Sequence, residues 1–586
     1  MSKSDGYAGK ILRVNLSEES VKQESLSEDL KDYIGGLGIG TKIIYDSTPR
    51  NCDPLGPDNI LVFMTGPLTG NTVMSGRFEV ISKSPATGIM GFASCGGFWG
   101  TELKKAGFDG IVISGIAKKP TYLRIENENV ELLDASEYWG KGIYYLKKKI
   151  DRRFTAIGPA GEGLVKVASI LDSDERSAGR SGMGAVMGSK KLKMISVKGD
   201  KKLELSDPEK IKELTKIATE KSKEFINQIL LDNYKKFGTG AMFGIAHLMM
   251  NIGIQNWQNR WWADHVKISA QEMRKKYFEK QYYCHRCIIG CGRIIRKGDE
   301  LVHGPEYETM CALGTMLLNS NLEDLIELNW LCNDYGMDTI STGGLIAFAM
   351  ECFQKGLITE ELKWGDSKKA IALLKQIAQK QGLGATLASG IREAAEKIGG
   401  NANEFAMNVK GLELPQHDPR LGMDLAYATS SRGADHLQGQ PHFTRFMPIK
   451  EFGQEITTSK AHIIKTHQDW NVIVDSLVLC KFGVAPQGFM TVTDIIDILN
   501  AITGKDFSAI EIRLLGEKIF TLQRLYGIRE AGLSKKDDTI QPRFLEKNKN
   551  FDEELDAYYR RRNWDTEGIP TERLLSKLDL DKPEWL

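Results

Sequence analysis

Through most of the first two hundred residues, apolar positions alternate with polar ones or run together in short stretches. The segments 10–16 (KILRVNL), 59–66 (NILVFMTG), 77–84 (RFEVISKS), 110–116 (GIVISGI), 121–133 (TYLRIENENVELL) and 192–199 (LKMISVKG) carry the β-branched content and spacing of strands. Gly, Pro and Asn mark turns between them. Glycine is dense at 33–40, 94–100, 157–163 and 179–188. Such runs either lay backbone amides against a flat or anionic ligand or let layers pack closely, and the sequence supports both equally. From about residue 205 the spacing becomes helical. Asp207-Pro208 supplies an N-cap and first-turn pair for a helix over 207–230. Helical patterns follow at 320–336, 342–356, 367–382, 390–400 and 507–532. The pattern predicts an α+β chain: a β-rich part over 1–204, then two mostly helical parts over 205–411 and 412–586. No Gly/Ser-rich linker separates them, so the parts are expected to pack around one interior site.

Composition narrows the function classes. The 586 residues hold 78 basic and 77 acidic side chains, a formal net charge of +1. No basic excess suits a nucleic-acid or anionic-membrane binder, so neither partner is expected. The short basic runs 190–193 and 560–562 read as solvated faces. No stretch of about 20 apolar residues predicts a membrane span, and the first ten residues lack the apolar run of a secretion signal. Nine cysteines in this length are no disulfide framework. A reducing cytoplasmic location is expected. Cys52, Cys311, Cys332 and Cys352 read as ordinary core thiols.

Four other cysteines carry the chemistry. Cys284, Cys287 and Cys291 form one compact loop, CHRCIIGC, and Cys480 stands far downstream in DSLVLC. A cubane iron–sulfur cluster takes four thiolates, three of which can come from one loop. Thiolates also suit zinc, with His285 or Cys480 as the fourth ligand, and the spacing leaves both metals open. Tyr282, Tyr283, Ile288 and Ile289 would keep such a centre dry, or simply pack. HExxH and P-loop signatures are absent, which removes support for hydrolytic zinc and nucleotide chemistry.

Segments 64–115, 179–193, 284–291, 304–309 (GPEYET), 333–343 (NDYGMDTISTG), 427–436 (YATSSRGADH), 475–480 and 526–532 together resemble the aldehyde:ferredoxin oxidoreductase family of tungsten enzymes. The likeness runs nearly end to end. It implies one tungsten, more rarely molybdenum, held by the dithiolenes of two pterins, with one [4Fe-4S] cluster nearby and Mg2+ bridging the pterin phosphates. It implies that the β-rich part forms the base for this cofactor and that the helical parts cover it. The cluster ligands carry over to Cys284, Cys287, Cys291 and Cys480. The arginine between cluster and pterin carries over to Arg77. Ser94 and Gly96 fall where the family holds phosphates and magnesium, although the family's usual asparagine is Ser94 here. Arg180, Gly182 and Gly184 match a second glycine-rich cradle. The pterin motif DxxGLD becomes Asn333, Gly336, Met337 and Asp338, with Asp338 also able to cap the following helix. Asp475 heads the second pterin motif.

For catalysis the resemblance implies oxidation of an aldehyde to its carboxylate, oxygen coming from water and electrons leaving singly through the cluster to ferredoxin or a small iron–sulfur subunit, in an anaerobic setting. Glu308 and His436 match the family's acid–base pair. Glu306, His417 and His442 are competitors for those roles. Some family members dimerise around a metal held by a glutamate and a histidine three residues later. Here the pair is Glu327 and Trp330, and tryptophan cannot ligate it, although a homo- or hetero-oligomer stays open. The stretches 257–262 (WQNRWW) and 442–446 (HFTRF) are candidates to line a substrate route. The rival readings are a reductive relative acting on an aromatic thioester within a complex, and a non-catalytic cluster scaffold.

Overall fold

The structure is a computed structural model that describes residues 5–203, 205–440 and 459–586. His442 and the stretch 442–446 lie outside the described residues. All six predicted segments form strands, 121–133 as an antiparallel pair. In the first sheet, β1 (Lys10–Asn15), β2 (Ser20–Ser25), β3 (Leu61–Met64), β4 (Phe78–Lys83), β5 (Met90–Cys95) and β6 (Gly110–Ser114) lie in the order β2-β1-β6-β3-β4-β5. The second contains β7 (Thr121–Glu126), β8 (Asn129–Asp134), β9 (Arg153–Ala156), β10 (Ile170–Asp172), β11 (Ser177–Ala178) and β12 (Leu192–Lys198), in the order β11-β10-β9-β12-β7-β8. Strands β3, β4 and β5 are buried almost throughout; β3 reads as a continuous apolar run, whereas β4 also buries Glu79, Ser82 and Lys83. Phe63, Phe78 and Trp99 pack as tilted rings in the cluster shared by the two sheets, and the Trp99 indole N–H donates to the Ile195 carbonyl at 3.0 Å.

Helices dominate from Pro208 onward, as the periodicity predicts. A small antiparallel sheet escaped that prediction: β13 (Phe278–Tyr282), β14 (Gly292–Lys297) and β15 (Glu300–His303). Its strands are short and half-exposed, so no long period announces them. It matters because β13 and β14 pair as a hairpin whose tip is the cysteine loop.

The basic runs are solvated only in part: Arg560 and Arg561 are exposed and Lys191 is half-buried, whereas Lys190, Lys193 and Arg562 turn inward. Lys190 and Lys193 are buried, Lys190 donating to the carbonyls of Asn59 and Gly115 and Lys193 to Glu162 and the Lys141 carbonyl. Arg562 is fully buried against Asp469, Gln468 and the Tyr558 hydroxyl. Each buried cation is partnered inside the fold, which sequence spacing does not reveal. Cys52, Cys311, Cys332 and Cys352 are buried free thiols. Among the described residues, no helix is long and apolar enough to cross a membrane.

Candidate active site and cofactor cavity

One cavity of about 950 Å3 runs between the first sheet, the cysteine hairpin and the helical parts. Cys284, Cys287, Cys291 and Cys480 all line it. The distant Cys480 is brought in by one residue of the loop before β4. The Met74 amide donates to the Arg286 carbonyl at 3.0 Å, and its carbonyl accepts from the Cys480 amide at 2.9 Å. The His285 amide donates to the Gly97 carbonyl at 3.0 Å. A Cβ on Gly96 would stand 3.0 Å from the Cys284 sulfur, so glycine lets the β5 end approach the thiol. The amides of Ile289 and Gly290 both point at the Cys287 sulfur at 3.4 Å. Burial, then the neighbouring Cys480, pushes the Cys287 thiol up to about 11, while the two amides pull it down. Burial also pushes the Cys291 thiol up. Such thiols ionise when a metal replaces the proton. The donor set therefore fits a thiolate-bound metal centre.

Arg77 closes the inner side of this corner. Its Nε donates to Ser94 Oγ at 2.8 Å, one terminal nitrogen donates to the Ser94 carbonyl at 3.2 Å, and the other lies 4.0 Å from the Cys480 sulfur. Burial works against its charge, but Cys480 and Cys284 hold the guanidinium above its ordinary pKa. It is a half-buried cation facing thiols. Across the β4–β5 pair Glu79 stands opposite Ser94. Glu79 is fully buried, lines the cavity, and neither carboxylate oxygen makes a hydrogen bond. Burial, then nearby Asp475, pushes it up to about 8. Sequence reasoning missed Glu79. The available signal was an acid two residues after Arg77 in a strand, hence on the same face.

The other cofactor candidates divide. Arg180, Asn333, Met337, Asp338 and Asp475 line the cavity. One Arg180 terminal nitrogen donates to the carbonyls of Glu413 (2.5 Å) and Ala434 (3.1 Å), while the other stands 3.8 Å from Asp338 and makes no hydrogen bond. Asp338 accepts from the amides of Ile340 (3.3 Å) and Ser341 (3.2 Å), capping the helix Thr339–Gln354. Asp475, near the end of the helix Lys460–Ser476, accepts from Lys481 Nζ at 2.7 Å. Gly182, Gly184 and Gly336 are not among the lining residues. A Cβ at Gly182 would meet the Lys166 carbonyl at 2.4 Å, and one at Gly184 the Ser169 carbonyl at 2.5 Å. Gly336 ends the helix Leu322–Tyr335 at φ +71°. These three glycines serve close packing and a left-handed helix end.

At the other end of the cavity, strand β15 delivers the chain to the short helix Tyr307–Ala312, which presents Glu308. Glu308 Oε2 accepts from the Gln416 amide at 2.9 Å. Its Oε1 is buried without a hydrogen bond, 3.5 Å from His436 Nε2 and 3.6 Å from His417 Nε2. The Tyr307 hydroxyl donates to the Gln416 carbonyl at 3.0 Å, and the Tyr307 ring stacks on His417, which stacks on His436. Burial is the first cause raising the Glu308 carboxyl to about 7. Burial also lowers His436 to about 3, with Asp435 opposing and Arg180 and Arg432 adding to the fall. Donor atoms of Glu308, His417 and His436 all lie within 4.8 Å of one another, so the trio could also take a metal ion. His417 thus stands as near to Glu308 as His436 does.

Glu306 is engaged elsewhere. Its two oxygens accept from Arg176 (2.9 Å) and from Thr239 Oγ1. Glu327 pairs with Lys297 at 2.9 Å, and the Trp330 ring stacks on Tyr144, so this pair makes no bridging metal site. Residues 257–262 are not among those lining the cavity.

Two family models match in tandem: the N-terminal domain of aldehyde ferredoxin oxidoreductase over residues 11–199, and its domains 2 and 3 over residues 216–580. The chain belongs to the aldehyde ferredoxin oxidoreductase family, and it is an oxidoreductase. It is 37% identical to a tungsten-containing aldehyde ferredoxin oxidoreductase of Thermococcus kodakarensis, over 97% of this chain and 98% of the relative. It is 33% identical to an aliphatic sulfonate oxidoreductase, WOR-like subunit, of Pyrococcus furiosus, over 98% and 97% of the two chains. A similar solved structure is the active-site complex BamBC of benzoyl coenzyme A reductase with 1,5-dienoyl-CoA, with a TM-score of 0.86, 26% identity, and coverage of 98% of this chain and 97% of that one.

Proposed function

We propose that this protein oxidises aldehydes to carboxylates, using a tungsten bis-pterin and one [4Fe-4S] cluster, with ferredoxin or a small iron–sulfur subunit as the electron acceptor. The cavity suits that cargo on its own terms. It is lined by four thiols, and by buried atoms of Glu79 and Arg180 that make no hydrogen bond. Cys284, Cys287, Cys291 and Cys480 would ligate the cluster. Arg77, Ser94, Gly96 and Arg180 would meet the pterin phosphates and their Mg2+, with Glu79 offering further hard oxygens. Asn333, Met337, Asp338 and Asp475 would face the pterin rings. When bound, tungsten supplies a two-electron redox couple.

The observation that carries the acid–base part is Glu308 Oε1, buried, unbonded and faced by two imidazoles. As carboxylate, Glu308 accepts a proton from the attacking water or its adduct. His436 is held neutral, so a ring N–H can donate to the aldehyde oxygen and polarise the carbonyl without a full positive charge. His417 is a second neutral-donor candidate on the same carboxylate. Tyr307 fixes the loop that carries it.

Elemental analysis of anaerobically purified protein, followed by an aldehyde screen with an artificial acceptor, tests the whole reading. Tungsten, iron and sulfide with aldehyde-dependent reduction support it; zinc alone rejects it. The likeness to the dienoyl-CoA complex favours one second reading, reduction of an aromatic thioester as part of a larger assembly. A product assay with an aldehyde against an aromatic thioester separates the two.

A further inference from the structure

The thiol corner contains a second half-buried arginine. Arg176 stands between β10 and β11, its carbonyl accepting from the Asp172 amide at 2.7 Å. Its side chain crosses to the cysteine hairpin and lines the cavity. The guanidinium carbon lies 5.1 Å above the Tyr282 ring, one terminal nitrogen donates to Glu306 at 2.9 Å, and Nε is buried without a partner. Two glycines locate it against the thiols. The Cβ position of Gly96, 3.0 Å from the Cys284 sulfur, is 3.8 Å from Arg176 Cγ. The Cβ position of Gly292, the residue after Cys291, is 2.7 Å from an Arg176 terminal nitrogen. The Arg176 stem therefore runs past the Gly96–Cys284 contact and its guanidinium reaches Gly292, next to Cys291; burial works against its charge, and Cys284, Glu306 and Cys291 hold it up. Nearby Arg293 differs: its terminal nitrogens both donate to backbone carbonyls, of Phe237 and Pro305.

The geometry points to Arg176 and Glu306 as a charge pair that sets the reduction potential of the centre held by the four cysteines. Arg176 is a positioning cation, and Glu306 is its partial counterweight. The inference rests on the reading that those cysteines hold an iron–sulfur cluster. Reduction adds one negative charge to the centre. In a poorly screened interior, a fixed cation beside two of its ligands stabilises the reduced form, and a fixed anion behind that cation weakens the effect. Both Glu306 oxygens are already occupied, by Arg176 and Thr239, so its role is electrostatic rather than proton transfer.

The test is a redox titration of the anaerobically purified full-length protein, followed by electron paramagnetic resonance of the reduced cluster. Arg176→Gln shifts the midpoint to a more negative potential. Arg176→Lys, which keeps the charge, stays near the parent value. Glu306→Gln shifts the midpoint to a more positive potential. A purely structural role would change iron content without giving these opposite signs. An unchanged midpoint in Arg176→Gln with a full iron complement overturns the proposal. If that variant loses iron, Glu306→Gln decides, and a midpoint that stays or falls overturns it. Parent protein that contains no iron overturns the cluster reading itself, and iron and sulfide analysis shows this before any variant is made.

Discussion

Glu308 shows how little of a side chain's chemistry resides in its identity. Two glutamates stand two residues apart in GPEYET, and either is a reasonable proton acceptor on paper. In the fold Glu306 is tied to Arg176 and Thr239, whereas Glu308 keeps one oxygen unbonded beside two imidazoles. Glu308→Gln is expected to retain both cofactors and lower kcat by about 100-fold or more, the usual range for loss of a general base. Because burial raises the Glu308 carboxyl to about 7, the active carboxylate forms as pH rises. The rate of the parent enzyme should climb through about pH 7, and that rise should vanish in the variant; a steady-state pH profile checks both. Cys480→Ser should lose or convert the cluster and block electron exit, seen as a changed resonance spectrum with little turnover. Motif matching reached Glu308, His436 and the four cysteines. It did not reach Glu79 or Arg176, whose importance comes from what they lack or face after folding.

The secondary-structure elements explain why the glycine runs were ambiguous. The helix Gly36–Ser47 begins against the end of the helix Lys460–Ser476. A Cβ on Gly36 would come within 2.3 Å of the Asp475 carbonyl, at a backbone φ of +34°. There the glycine serves close packing between helices, and it holds the segment that leads to Asp475 and Cys480. Gly36→Ala should therefore cost about 1–3 kcal/mol by overpacking and also reduce bound iron, measured by urea denaturation and iron analysis. Gly96 serves the opposite purpose: it clears room for the Cys284 sulfur. The two uses look alike in sequence because both need only a missing side chain. The hairpin β13–β14 was illegible for a different reason. Its short, half-exposed strands offer no sustained apolar period, although the cysteine loop at its tip was plain.

Across the whole molecule, long-range ion pairs bind the C-terminal helices to the cofactor-facing ones. Fully buried Arg562, on the helix Phe551–Arg562, holds Asp469 on the helix that carries Asp475. Arg562→Ala leaves the buried Asp469 carboxylate with Lys465 as its remaining cation and removes the donors to Gln468 and Tyr558; it should cost about 1.5–3 kcal/mol, read as a lower midpoint of chemical denaturation. Neighbouring Arg560 and Arg561 are exposed, as expected for this run, and only Arg562 turns inward, a difference the run does not show, since charge in a sequence carries no partner. Local pattern settled the strand-rich beginning and the helical remainder, because hydrophobic period is a property of neighbours along the chain. Motif order settled the family, because the spacing of thiols and acids survives in the linear chain. The cavity, the meeting of Cys480 with the hairpin thiols through Met74, the engagement of Glu306 by Arg176 and Thr239, and the placement of Arg176 had to wait for the fold. Each depends on groups far apart in sequence meeting at one place, where burial and neighbouring charges decide which groups are neutralised and which remain free to act.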